Sequence, residues 1–196
     1  ECDVTFTRDG ALVCRHSECD LHTTTNIVAT YQDRVDAIFG SQAAYAQAFI
    51  DELKEAGVTP TDAWVQSFNK ADVLYWIKSN PRFGEQAVFL DDANVPADVP
   101  TAAELKSYAD QGIKIVAPPM WVLLTVDKST GRIVPSQYAR DAKAAGLDII
   151  TWTLERSGIL ADGNNGFYYQ TFDSAIKTEG DMMQVLDVLA REVGIL

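Results

Sequence analysis

The sequence is short of positive charge and of long apolar runs. Only 16 lysines and arginines stand against 28 aspartates and glutamates in 196 residues, so the net charge is −12. This balance argues against a nucleic-acid-binding surface, because such surfaces are basic. No apolar run approaches the roughly 18 residues of a membrane-spanning helix, so no transmembrane segment is expected. An anionic ligand would have to be attracted by a local positive site and not by the overall field.

Nucleotide-binding signatures are missing as well. No G-x-G-x-x-G follows a predicted strand and no Walker sequence is present, which weakens the case for a nucleotide-binding open sheet. The sequence also lacks an initiator methionine and a signal peptide. Its first residue already lies in a strand pattern, and Gly194-Ile195-Leu196 is typical of the start of another strand. We therefore expect a processed or partial version of a longer chain.

Cysteine and histidine are both scarce. The cysteines are Cys2, Cys14 and Cys19, and the histidines are His16 and His22. A Cys14–Cys19 disulfide would close a small loop and would indicate an oxidising compartment. Free thiols are a second interpretation. A zinc site that includes the two histidines is a third, although C-x-H-x-x-C-x-x-H is not a standard finger spacing.

What the sequence does contain is a regular alternation of strand and helix patterns. With 47% hydrophobic and 22% charged residues, it is typical of a globular protein, and we interpret residues 1–196 as one domain. Repeated strand–helix units with short connections predict a parallel α/β architecture, either a β/α barrel or an open doubly wound sheet. The predicted strands after the opening run are 63–68, 87–90, 114–117 and 148–154. The predicted helices begin near Ser41, Lys70, Thr101, Ser136 and Gly180 and end near 57, 79, 112, 145 and 193.

The opening sixteen residues carry the clearest chemical signal. Glu1 and Asp3 alternate with apolar residues, so both lie on one face of a predicted strand. Asp9-Gly10 predicts a turn, and the return strand leads to His16. Two carboxylates beside an imidazole favour a Mg²⁺ or Ca²⁺ site with hydrolytic chemistry on a phosphate ester. The plainer interpretation is a hairpin whose polar face meets water.

Other candidate residues lie where predicted strands end, since these ends form the active-site face of a β/α barrel. Trp152 is a candidate for lining a ligand pocket or, equally, a core aromatic. Gln66 is a candidate phosphate contact or a buried amide bonded to the neighbouring strand. The remaining strand-end residues are Ser67, Asp91, Pro118, Pro119 and Glu155.

The opening run resembles the glycerophosphodiester phosphodiesterase family. The family motif is E-x-D-V-x-x-T-x-D-G-x-x-V-x-x-H, and residues 1–16 match every specified position. Further similarities extend to the end of the chain, and the cysteines near His16 are similar to those of the secreted bacterial and fungal branch. The similar segments are 23–26, 65–68, 117–119, 150–153 and 179–183.

This resemblance implies a TIM (β/α)8-type barrel of the phospholipase C-like phosphodiesterase class. It implies metal-dependent hydrolysis of small glycerophosphodiesters to glycerol 3-phosphate and an alcohol. Glu1 and Asp3 would bind the cation, Mg²⁺ or Ca²⁺, and His16 would act as general acid or base. Gln66 and Trp152 would contact the substrate. The implied location is secreted or periplasmic.

The sequence departs from the family pattern at three places. The second catalytic histidine of the family, in an H-R-G motif, would precede Glu1. A third metal-binding glutamate, commonly in E-L-K, would lie on a strand near 30–31, whereas Glu52-Leu53-Lys54 belongs to a predicted helix. A final strand would follow Leu196. A partial barrel is therefore expected.

Two other functions are compatible with the same residues. One is a phospholipase D-like lyase that acts on sphingolipid or lysophospholipid head groups. The other is a non-catalytic ligand-binding barrel that has lost its site.

Overall fold

A computed structural model of the chain describes residues 4–6, 12–14, 39–152, 154, 166–178 and 180–196. Within these ranges strands and helices alternate along most of the chain. The strands are β1 (Val4–Phe6), β2 (Leu12–Cys14), β3 (Gln66–Ser67), β4 (Val88–Leu90), β5 (Ile115–Ala117), β6 (Leu124–Val126), β7 (Ile133–Pro135) and β8 (Asp148–Ile149). The helices are α1 (Gln42–Glu55), α2 (Lys70–Ser79), α3 (Pro81–Gly84), α4 (Ala102–Asp110), α5 (Met120–Leu123), α6 (Gln137–Ala144) and α7 (Asp181–Asp187), which continues as a π-helix over Val188–Val193.

Four of the strands form one parallel sheet in the order β3-β4-β5-β8. Each new strand is added on the same side of the one before it, so the order follows the chain without reversal. Right-handed crossovers in one direction place their helices on one face of a sheet, whereas a doubly wound sheet needs a reversal. The structure thus combines helices with a four-stranded parallel sheet, and two further strand pairs are antiparallel. The described strands form no closed barrel, so the barrel itself stays a prediction.

The helix starts follow from their capping residues. Ser41, Asn69 and Ser136 each accept a hydrogen bond from a backbone N–H in the first turn of α1, α2 and α6. At α4, Thr101 and Glu104 form a reciprocal capping box. These starts agree with the predicted ones because capping depends on local sequence.

Strand lengths were predicted less well. The strand expected over 63–68 is reduced to Gln66–Ser67, and the one expected over 148–154 is reduced to Asp148–Ile149 with a single bridge from Trp152 to Pro119. Between β5 and β8 the chain forms α5 and then the antiparallel hairpin β6–β7, neither of which was predicted. The apolar run Met120–Leu124 is fully buried, and such a run has no periodicity that would reveal its structure.

The two faces of the parallel sheet differ in packing. The face toward the helices adjoins the large hydrophobic core, which includes Val116 and Ile149 of the sheet and Ile50, Trp76 and Leu105 of the helices. The opposite face has a small cluster of its own. We call it the open face; its buried residues are Val88, Ile115 and Ala117, with Leu90, Ile150 and Trp152 partly buried against them.

The last residues approach the β8 edge of the sheet. Gly194 adopts a left-handed conformation (φ 71°) that ends the π-helix. The Leu196 backbone N–H then donates to the Ile149 carbonyl at 2.9 Å. This hydrogen bond supports the prediction that a strand begins here. Separately, no helix in the described ranges is long and apolar enough to cross a membrane.

Candidate functional site

The carboxyl edge of the parallel sheet is the natural place for a site, because ligands of parallel α/β folds bind beyond the carboxyl ends of the strands. β3 ends at Ser67, β4 at Leu90, β5 at Ala117 and β8 at Ile149. All four strands point the same way, so the segments that follow them meet at one edge. These segments are 68–69, 91–92, 118–119 and 150–152.

Gln66 lies on the open face of the sheet. It pairs with Val88, which pairs in turn with Ile115. Residues in register on neighbouring strands project to the same face, and Val88 and Ile115 belong to the open-face cluster. The half-buried Gln66 is therefore placed where a barrel interior would be. Its predicted contact with phosphate stays a prediction.

Trp152 is held in place by the end of the neighbouring strand. Its indole Nε1–H donates to the Ala117 carbonyl at 2.8 Å. Its own carbonyl accepts from the Met120 backbone N–H at 2.8 Å. One residue earlier, the Thr151 hydroxyl donates to the Pro118 carbonyl at 2.8 Å. The indole is half-buried on the open face, so it is neither a mobile surface group nor a residue of the main core.

Trp152 belongs to a continuous set of aromatic side chains along this edge. Phe68 contacts Trp152 (centroids 6.0 Å apart), Trp152 contacts Tyr168 (5.9 Å), Tyr168 contacts Phe167 (5.1 Å) and Phe167 contacts Trp121 (6.1 Å). All four contacts are edge-to-face, the arrangement that aromatic quadrupoles prefer. We call this set the aromatic row; it joins four separate segments of the chain.

The aromatic row is exposed on one side and anchored on the other. Phe68 is 52% exposed and Phe167 38% exposed, whereas Trp121 is 1% exposed. Sequence reasoning found Trp152 but missed the rest. Phe68 directly follows a strand, which was a usable signal, but nothing in the sequence relates Phe167 and Tyr168 to that strand.

Asp91 was expected at the strand-end edge, and the structure buries it at 7% exposure. Its Oδ1 accepts from the Ala93 backbone N–H at 3.1 Å. The buried Tyr138 hydroxyl of α6 interacts with this carboxyl and favours its ionised form. Burial raises the pKa of the Asp91 carboxyl to about 6, and the charge of Asp92 adds to the increase. This carboxyl therefore titrates close to neutral pH.

A second buried carboxylate holds the helices against β3. Asp72 of α2 is 2% exposed, and it accepts from the Ser67 hydroxyl at 2.8 Å and from the Gln42 amide at 2.7 Å. Burial raises the pKa of Asp72, while the two hydrogen bonds favour its ionised form. Because Ser67 takes part, the side chain that follows Gln66 faces the helices. Asp72 is thus a structural group and not part of the open face.

Glu1, Asp3 and His16, the predicted metal ligands and acid–base residue, lie outside the described residues, as does Glu155. What the structure does describe is their hairpin, in which β1 and β2 pair antiparallel with Val4 opposite Cys14. The predicted hairpin is confirmed. Among the described residues no group of three or more His, Cys, Asp or Glu side chains could hold a metal ion.

The remaining metal and disulfide predictions are not tested. Cys2, Cys19 and His22 lie outside the described residues, so the disulfide, free-thiol and zinc interpretations stay predictions. Glu52-Leu53-Lys54 lies within α1, as predicted, and Leu53 packs against the main core. This segment therefore does not provide the strand glutamate of the family pattern.

The chain is similar to a known protein and matches no family model. A protein of the fungus Arthroderma benhamiae, named "Extracellular protein", is 39% identical over 159 residues, which cover 79% of this chain. The aligned region spans 64% of that protein's length, so the chain corresponds to somewhat less than two thirds of it.

Proposed function

We propose that the protein hydrolyses glycerophosphodiesters to glycerol 3-phosphate and an alcohol with the help of a divalent cation, on a β/α barrel. The observation behind the proposal is the opening motif, in which Glu1, Asp3 and His16 stand at the family spacing.

The hairpin supports the proposed site. Val4 and Cys14 are paired across β1 and β2. In the sequence Asp3 directly precedes Val4, and His16 follows Cys14 by two residues. A paired hairpin is therefore the local structure that this motif requires if its carboxylates and imidazole are to act together.

The parallel sheet supports the proposed fold. Its strand order has no reversal, and one of its faces adjoins the helix-containing core. The open face presents Gln66 and Trp152, the two residues proposed to contact substrate. A β/α barrel has this arrangement in each of its sectors, with helices outside and the site at the carboxyl edge.

The proposed chemistry divides the work among three side chains. Glu1 and Asp3 supply the oxygen ligands that Mg²⁺ and Ca²⁺ prefer, and a cation bound there would offset the negative charge of the phosphate. By the family pattern, the glycerol 2-hydroxyl attacks phosphorus, the bond from phosphorus to the alcohol oxygen breaks, and water opens the cyclic phosphate. His16 would perform one of the two proton transfers, removal of the hydroxyl proton or protonation of the departing oxygen, and the second histidine of the family pattern would perform the other; each is typically worth about 10² to 10⁴ in rate.

We also propose that the protein is secreted. The fungal relative bears the name "Extracellular protein". Detection of the natural protein in culture medium, against retention of a cytosolic marker, tests this; exclusive recovery with the cell contents would contradict it.

The decisive experiment compares the two histidines in the full-length protein. We expect His16→Ala to lower turnover of glycerophosphocholine at least 100-fold, whereas His22→Ala, in the polar segment that follows, serves as the matched control and keeps most of the activity. Excess chelator should also abolish turnover, and added Mg²⁺ or Ca²⁺ should restore it. Near-normal activity of a folded His16→Ala variant, or no turnover by the wild-type protein, would contradict the proposal. Preferential turnover of sphingomyelin would favour the lyase instead.

A further inference from the structure

We propose that the aromatic row is the subsite for the alcohol part of the substrate and that it binds a quaternary ammonium group such as that of choline. The proposal rests on the proposed function for its substrate class. It assigns a ligand to Phe68 and Tyr168 and gives Trp152 a specific partner.

The geometry of the rings suits a rounded cation. Phe68 and Trp152 are inclined by 90°, and Trp152 and Tyr168 by 78°. Perpendicular rings present faces in different directions, so a tetrahedral ammonium group can contact more than one of them. Cations bind the negative face of an aromatic ring within about 6 Å, and quaternary ammonium groups are commonly bound by several rings together.

The position of the central ring is fixed in advance. The indole of Trp152 is tied to the Ala117 carbonyl, and its backbone carbonyl is tied to Met120. At the far end of the row, the fully buried Trp121 packs against Phe167. A ring that is already held in place, as Trp152 is, loses little conformational entropy when a ligand binds.

Exposure distinguishes this row from ordinary core packing. The 52% exposure of Phe68 places about half of an aromatic ring in water at the edge where the strands end. Trp64 has the same exposed fraction but precedes β3, at the amino end of the same strand. The two aromatic residues are equally exposed and lie at opposite ends of β3, so Trp64 provides the control.

Charge also favours a cationic group here. With a net charge of −12, the protein attracts cations and repels anions. A phosphodiester of choline carries both charges. The ammonium end matches the overall field and the aromatic row, while the phosphate end would be held by the proposed cation site.

The test measures equilibrium binding of choline and tetramethylammonium to the full-length protein, followed by tryptophan fluorescence or calorimetry. We expect Phe68→Ala to weaken binding of both cations about 3- to 30-fold, the range of a single cation–π contact. Trp64→Ala should leave both affinities unchanged. The neutral isostere 3,3-dimethylbutanol should bind at least several-fold more weakly than choline. Equal affinities for choline and its isostere, or equal losses in the two variants, would overturn the proposal.

Steady-state kinetics with two diesters tests the ammonium subsite separately from the proposed enzymatic function. The ratio of kcat/KM for glycerophosphocholine to that for glycerophosphoglycerol should fall in Phe68→Ala and stay constant in Trp64→Ala. Hydrolysis of both diesters with an unchanged ratio would overturn the ammonium subsite alone. Choline binding that depends on Phe68, without hydrolysis of any glycerophosphodiester, would overturn the enzymatic function alone.

Discussion

The two faces of the parallel sheet are built from the same strands and have different surroundings. Val116 and Ile149 face the large core beneath the helices and are 1% and 0% exposed. On the open face, Ile150 and Trp152 are partly exposed beside a cluster that has three buried members among the described residues. Alternation along a strand therefore separates two tasks, since one set of side chains is committed to packing and the other is available to a ligand.

The comparison predicts that stability and ligand binding can be changed separately in this fold. Burial of apolar area is the main stabilising term in folding, and it is concentrated on the helix-covered face. The open face contributes less, so its residues can be selected for chemistry at a smaller cost in stability.

The largest expected difference in stability loss is between alanine variants of two tryptophans. The indole N–H groups of both donate to a backbone carbonyl. Trp76, 2% exposed, donates to Ala46 at 2.9 Å, and Trp152 donates to Ala117 at 2.8 Å. Trp76→Ala should lower the free energy of unfolding by about 3–5 kcal/mol because it leaves a cavity in the main core. Trp152→Ala should cost clearly less stability but most of the ligand binding. Denaturant unfolding and choline titration of both variants measure this; equal stability losses would contradict the division between the faces.

A smaller difference in unfolding free energy is expected between alanine variants of two neighbouring isoleucines. Ile149→Ala removes a fully buried side chain and should cost about 2–4 kcal/mol of unfolding free energy. Ile150→Ala, on the partly exposed open face, should cost about half as much. Urea unfolding of the two variants gives the difference directly. A larger loss in Ile150→Ala would mean that the open face is the better packed one.

The third prediction concerns Asp91, a buried carboxyl whose pKa is raised by burial. A carboxyl whose pKa rises from 3.8 to about 6 on folding binds its proton more tightly in the folded state. Asp91 therefore contributes to the free energy of unfolding fully below about pH 4. This contribution is lost as the pH rises from about 4 to about 6, and the loss is about 3 kcal/mol at most.

Asp91→Asn should accordingly be more stable than the wild type above pH 6 and should show a flatter stability profile between pH 4 and 6. The raised pKa of Asp72 acts with the same sign in both proteins, so the difference between their profiles isolates Asp91. Thermal unfolding at several pH values measures the profiles. Parallel profiles would contradict the raised pKa.

The smallest effect on stability is expected at the start of α4, one of the helices on the helix-covered face of the sheet. Thr101→Ala removes the hydroxyl that accepts from the Glu104 N–H and should cost about 1 kcal/mol of stability without changing ligand binding. Thr61→Ala, an exposed threonine of the Pro60–Asp62 turn, is the control. A change in choline affinity in Thr101→Ala would show that the stability of α4 and ligand binding at the open face are coupled.

Sequence patterns predicted the features that depend on neighbours in the chain. Ser41, Asn69, Thr101 and Ser136 mark helix starts because a cap bonds to N–H groups within three residues. The hairpin around Asp9-Gly10 was likewise predicted from alternation and a turn dipeptide. Gln66 and Trp152, the predicted substrate contacts, lie on the same face of the sheet, and their contact with substrate stays a prediction.

Other features were missed because they depend on distant partners. The hairpin β6–β7 follows a buried apolar run whose pattern fits both helix and strand. Asp91 interacts with Tyr138, which is 47 positions away in the chain. The aromatic row depends on the approach of residues 167–168 to Trp152 and Trp121, which no local pattern encodes.

The sequence by itself determined the alternation of strands and helices, the helix caps and the motif of Glu1, Asp3 and His16, because each depends on spacing along the chain. Only the tertiary structure decided which side chains of the sheet adjoin the helices, and that Asp91 was buried and Phe68 left exposed beside Trp152. The physical reason is that burial and electrostatic environment depend on contacts between segments far apart in sequence, which form only when the helices pack on one side of the sheet.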